Sequence, residues 1–118
     1  VRETLSLYRG HDFLPSTLQL AAIPTIPAYG GVPTAGKIVH LHYTAMFGQW
    51  WITELEPTVM VGYGFSRLGT LSGIRWGYIP FDELEAAMDP DGNIVDRDLR
   101  WQPTLAARIL IAEQVSPQ

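Results

Sequence analysis

The sequence predicts an α+β domain: a mainly antiparallel sheet of about five strands with two to three helices. Three observations carry that prediction. Apolar residues alternate with period two over Lys37–Thr44, Trp50–Glu56 and Thr58–Phe65, the pattern of strands with distinct faces. Phe81, Leu84, Glu85 and Met88 fall at helical spacing instead, as do Leu105, Ile109 and Ala112. The strands also follow one another without intervening helices, which suits antiparallel pairing with helices laid against the sheet.

Taken in order, residues 1–13 carry no pattern and read as a partly ordered lead-in to one domain over 14–118. Leu14, Leu18, Ala21 and Ala22 mark one face of a short helix with Pro15 in its first turn, where a missing N–H costs little. Pro24, Pro27, Pro33 and the glycines up to Gly36 then form an extended connector over the core. The first strand points Val39, Leu41 and Tyr43 one way and Ile38, His40 and His42 the other. In the second, Trp51, Thr53 and Leu55 oppose Trp50, Ile52, Glu54 and Glu56; in the third, Val59, Val61, Tyr63 and Phe65 oppose Met60, Gly62 and Gly64. The break at Glu56-Pro57 makes Trp50–Phe65 the central hairpin. Glycine inside a strand marks a place where another group comes close.

A loop over Ser66–Ile74 leads into a fourth strand, Arg75–Ile79. In the helix that follows, Asp82, Glu83 and Glu85 occupy the first turns, where the helix dipole favours carboxylates. Asp89-Pro90-Asp91-Gly92 makes a tight turn, Val95–Trp101 a charged edge strand, and Thr104–Gln114 a closing helix.

With 118 residues, 47% hydrophobic and 17% charged, the chain is long and apolar enough for one independent core. A net charge of −4 argues against tight binding to a phosphate backbone, and the acidic residues form no long run of the kind a DNA mimic needs. The absence of cysteine excludes disulfides, thiolate metal sites and thiol nucleophiles. No apolar run approaches the roughly 20 residues of a membrane helix, so no membrane association and a cytoplasmic location are expected.

Four blocks resemble the bacterial and phage family called domain of unknown function 2958. They are Trp50–Glu56, Val61–Tyr63, Gly77–Glu85 and Asp96–Trp101 followed by Pro103, matching in order and spacing between about Leu14 and Leu105. Pro80 stands where that family tends to place a serine helix cap. The resemblance implies a setting, a mobile genetic element of phage or plasmid type often near counter-defence genes, and no reaction.

Motifs of known chemistry are sparse. His40 and His42 sit about 7 Å apart on one strand face. With Glu54 they are candidates for a metal or small-ligand site, or are histidines that are simply exposed or hydrogen-bonded. The Asp89 turn lacks the glutamate of a calcium loop, since position 100 is arginine, and Gly69–Gly73 is not a serine elbow. Lys37 is the chain's one lysine and fits no phosphate loop, so no cofactor signature emerges. A buried Glu54 needs a cationic partner such as Arg97.

The remaining signal is collective. If helices cover the face of Val39 and Leu41, the other displays His40, His42, Trp50, Ile52, Glu54, Met60 and Gly62, an aromatic and weakly charged interaction face. The expected function is a non-catalytic protein-binding module of a mobile element, with a host or element-encoded partner and counter-defence as its purpose. Trp50→Ala would then weaken the partner contact by about 2 kcal/mol or more without unfolding the chain. The alternatives are an enzyme, metal or small-ligand protein using His40, His42 and Glu54, and a nucleic-acid binder using the arginines between Arg67 and Arg108.

Overall fold

The computed structural model describes residues 5, 9–26, 36–69 and 73–114. In chain order the elements are α1 (Thr17–Ala21), β1 (Ile38–Val39), β2 (Leu41–Ala45), β3 (Gly48–Glu56), β4 (Val61–Leu68) and β5 (Arg75–Pro80). They continue with α2 (Phe81–Ala86), β6 (Asp96–Arg97), β7 (Thr104–Leu105) and α3 (Ala106–Gln114). Five strands form one sheet in the order β5-β4-β3-β2-β6, and β1 with β7 forms a second, two-stranded one. Every ladder is antiparallel, so the α+β reading holds and the β3–β4 hairpin lies at the centre.

Two irregularities decide which side chain faces where. On β3 the register with β4 slips at a bulge: Ile52 lies opposite Gly64 and Glu54 opposite Tyr63, so Thr53 is the extra residue. A one-residue insertion turns everything beyond it over. Leu55 therefore joins Trp50 and Ile52, whereas Glu54 joins Trp51. The second irregularity lies at His40, where β1 leaves the main sheet. Val39 packs with Trp51 and Phe65, yet Leu41, two residues on, packs with Ile52. The expected division of the sheet into two faces is corrected accordingly.

Both faces are roofed. Leu41, Tyr43, Trp50, Ile52 and Leu55 lie under Phe13, Ile23, Phe81, Leu84 and Val95. On the opposite side Val39, Trp51 and Phe65 lie under Ala106 and Ile109, flanked by Trp101 and Leu110. The glycine side of β4 is filled from within the chain. A Cβ on Gly62 would stand 2.9 Å from the Phe81 ring, and one on Gly64 only 1.9 Å from the Trp51 carbonyl oxygen. The close approach that glycine signals is here the bulged backbone of β3 itself.

The lead-in belongs to the core over its last residues. Arg9 Nη1 meets Glu85 Oε2 at 3.1 Å and Arg9 Nε donates to the Val95 carbonyl at 2.9 Å, all out of contact with solvent. Phe13 stacks on Tyr43 at 4.5 Å, and the Tyr43 hydroxyl donates to the Phe13 carbonyl. An unpatterned segment is thus fastened by two particular side chains, which periodicity does not report. Ser16 caps α1 reciprocally with Gln19, so Pro15 precedes the helix, and this five-residue helix buries none of its own side chains. Leu18, expected to face inward, is 84% exposed.

Further along, β4 runs on to Leu68, three residues into the expected loop. The helix at Phe81 forms as expected, with Pro80 as a cap that makes no side-chain hydrogen bond. Glu85 turns inward to Arg9 rather than serving the helix dipole. The fifth expected strand shrinks to the two residues of β6: the Asp98 N–H still bonds the His42 carbonyl in register, but the Trp101 N–H then bonds the Asp98 carbonyl and the chain turns out of the sheet. Thr104–Leu105 pairs with β1, so α3 begins at Ala106 and buries Ala106 and Ile109, leaving Leu105 and Ala112 exposed.

Candidate functional site

The set predicted as one interaction face is divided twice: the β2–β3 register sets His42 opposite Trp51 and Tyr43 opposite Trp50, and the bulge turns Glu54 away from the side of Ile52. Trp50 is 8% exposed and Ile52 fully buried in the first core, with Gly62 beneath Phe81. Met60 closes the β3–β4 turn at a positive φ of 50° and packs on the same core. His42 and Glu54 lie on the opposite side. The reason is steric: with both faces of β3 apolar, both acquire a roof.

The histidine and carboxylate candidates each find a separate role. His42 Nδ1 lies 2.9 Å from Asp98 Oδ2 and Nε2 lies 2.9 Å from Gln49 Oε1. Its ring is stacked 5.3 Å from Trp51 and tilted 5.0 Å from Trp101. Both ring nitrogens are therefore engaged in a tie between β2, β3 and the segment after β6. His40 Nε2 is buried with no hydrogen-bond partner among the described residues, and burial holds its pKa below the ordinary value. No three His, Asp or Glu side chains converge on a metal position among the described residues.

Glu54 pairs with Lys37, not Arg97: Nζ to Oε1 is 2.8 Å, and both side chains are buried. The Thr53 hydroxyl bonds the other Glu54 carboxylate oxygen and lies 3.0 Å from the Tyr63 carbonyl oxygen. Arg97 instead donates to the Asp12 carbonyl. Of the clustered arginines, Arg67 pairs with Glu113 at 2.7 Å, so the basic stripe is interrupted at two positions.

Above the Lys37–Glu54 pair lies an aromatic strip that the sequence reading did not single out. The Lys37 ammonium sits 4.9 Å from the Tyr63 ring centre and 5.7 Å from that of Trp76. Tyr63 meets Tyr78 edge-on at 5.2 Å and Trp76 at 6.1 Å. Tyr78 is 67% exposed and Trp76 half-buried. α3 covers Trp51 and Phe65 but leaves this end of the face open.

Backbone geometry adds to the strip. The Phe81 N–H bonds the Met60 carbonyl at 3.0 Å, which makes Pro80 and Val61 a pair without mutual hydrogen bonds. Alternation then assigns the same status to Tyr78 with Tyr63 and to Trp76 with Phe65. The N–H and C=O groups of Trp76 and Tyr78 therefore point away from β4, and among the described residues no strand pairs with them. The signal was present in Arg75–Ile79, whose two aromatics share one parity. Reading it required knowing that β5 ends the sheet. A separate apolar cleft of about 330 Å³ lies between α1 and the end of β3, lined by Leu20, Ile23, Leu55 and Pro57.

Compared with known proteins, the chain matches no family model, no curated protein and no solved structure. Among the described residues no helix is long and apolar enough to cross a membrane.

Proposed function

We propose that this chain is a non-catalytic protein-binding module that takes an extended segment of a partner along the outer edge of β5. One observation carries the reading: the strand whose outward N–H and C=O groups, those of Trp76 and Tyr78, meet no other strand among the described residues is also the strand that exposes Tyr78 beside Trp76 and Tyr63. Strand addition draws affinity from such backbone groups and specificity from the side chains beside them. Aromatic residues are enriched at the centres of protein interfaces. The non-catalytic part is supported by the engagement of the ionisable side chains, Glu54 with Lys37, Glu85 with Arg9 and His42 with Asp98. The setting, a mobile element acting in the host cytoplasm against its defences, rests on the resemblance of the four sequence blocks alone. It makes a host or element-encoded protein the expected partner.

The test is capture of partners from host lysate by the tagged chain, run beside Tyr78→Ala and Tyr78→Pro. The proline removes only an outward N–H, so the β4–β5 ladder keeps its bonds. A partner held by the wild type and lost by both variants, with slowed amide exchange at Trp76 and Tyr78 in the purified complex, supports the reading. A partner retained by both variants overturns it.

A further inference from the structure

We infer that the segment received by β5 is β5 of a second copy of this chain, the two strands running antiparallel about a two-fold axis at Gly77. The inference rests on the edge reading above and names the occupant. Its first support is the hydrogen-bond parity. The outward groups belong to Trp76 and Tyr78, so a symmetric pair centred on Gly77 sets Trp76 of each copy opposite Tyr78 of the other. Each of those two pairs exchanges both N–H···O bonds. Centring the pair on Tyr78 would oppose Trp76 to Pro80, which has no N–H to give.

The second support is steric. Gly77 falls on the axis as the pair without mutual hydrogen bonds, where opposed Cα atoms come to about 4.5 Å. A residue without Cβ suits that approach, and among the described residues nothing comes within 4 Å of where a Gly77 Cβ would stand. On the face carrying Tyr63, the register brings Trp76 and Tyr78 of the two copies side by side, as cross-strand aromatic pairs that extend the strip into both subunits.

Charge complementarity is the third support. Arg75 lies on the other face, exposed, and the same register places it opposite Ile79 of the second copy. Ile79 lines a cleft of about 200 Å³ together with Pro80 and the exposed Glu83. Neither Arg75 nor Glu83 makes an ion pair among the described residues, and the two-fold axis matches them twice. The contact is short, so the dimer belongs to the class of small interfaces and dissociates on dilution.

Sedimentation of the full chain across a concentration series tests this directly. A mass rising from 13.2 kDa to twice that value is expected. Gly77→Lys and Gly77→Glu each oppose like charges on the axis, and each is expected to weaken the dimer at least tenfold. Mixed in equal amounts, the two variants restore it as a heterodimer. A wild type that stays at 13.2 kDa at every concentration overturns the inference, and so does a dimer indifferent to both substitutions. The edge reading fails separately: a monomeric chain whose captured partner is lost with Tyr78→Pro keeps the docking edge and loses only the second copy.

Discussion

The two edges of the sheet are built on opposite plans. At one, β6 is two residues long, and both are charged. Asp96 lies 3.7 Å from Arg9 and 3.7 Å from His11, and Arg97 bonds the Asp12 carbonyl, so residues 9–12 lie across this edge. At the other, β5 is six residues long and aromatic on one side, with charge only at Arg75 and a proline only at its end. Brevity, charge and a covering segment are the usual means of keeping a sheet from growing. They are all present at β6. At β5, Arg75 and Pro80 bound the strand without blocking its middle, so the chain closes one edge and sets a register on the other.

The largest expected effects fall on the closed side. Arg9→Met removes the guanidinium paired with the buried Glu85 carboxylate, and a loss of about 3–5 kcal/mol is expected in urea unfolding. Adding Glu85→Leu should recover most of it, since a buried pair replaced by apolar groups is close to neutral. A single variant near wild-type stability would show that the covering segment is not held by this pair. Trp50→Ala belongs in the same range, about 3–5 kcal/mol, because its indole fills the first core; a folded, stable variant would return Trp50 to the surface.

Gly64 and Gly77 face each other across β4 and β5, and they sharpen the contrast. Gly64→Ala drives a methyl into the Trp51 carbonyl, which the bulge at Thr53 cannot vacate without losing register. About 3 kcal/mol of destabilisation is expected. Gly77→Ala meets no other atom within 4 Å among the described residues, and a change within about 0.5 kcal/mol is expected. Equal effects at the two positions would mean that the outer edge is as filled as the interior.

The sequence conveyed the two plans unevenly. The meander, the central hairpin and the helix at Phe81 were legible because periodicity is a local property, set by neighbours two to four residues away. The bulge at Thr53 was not, because Trp50, Trp51 and Ile52 are apolar on both sides and alternation is silent there. Alternation alone therefore puts Leu55 and Glu54 on the wrong faces, and it carries no information on the β2–β3 register, which sets His42 beside Trp51 and not beside Trp50. The Arg9–Glu85 pair, separated by 76 residues, has no local signature. The Lys37–Glu54 pair has no signature at the level of spacing, because Lys37 begins a strand segment 17 residues from Glu54 and meets it only through the fold. The β5 edge was half legible: its aromatic parity could be read, its position at the end of the sheet could not.

A smaller effect separates binding from folding at β5. Tyr78 is mostly exposed and touches Tyr63 edge-on, so Tyr78→Ala should cost less than about 1 kcal/mol in unfolding while abolishing the edge contact. A large loss of stability would make the aromatic strip part of the core and remove the distinction between the two edges.

The smallest effect lies where β1 departs from the sheet, between the two plans. Burial disfavours the imidazolium of His40 and holds its pKa below the ordinary 6.5. Between those two values the unfolded chain carries a proton that the folded chain does not, so stability falls as pH drops through about 6.5 and is fully present above it. One proton sets the limit of the slope at about 1.4 kcal/mol per pH unit, and a half-buried ring should show less. His40→Gln should flatten that part of the stability profile. An unchanged slope would assign the proton elsewhere and leave His40 as a neutral spacer at the point where one strand serves two sheets.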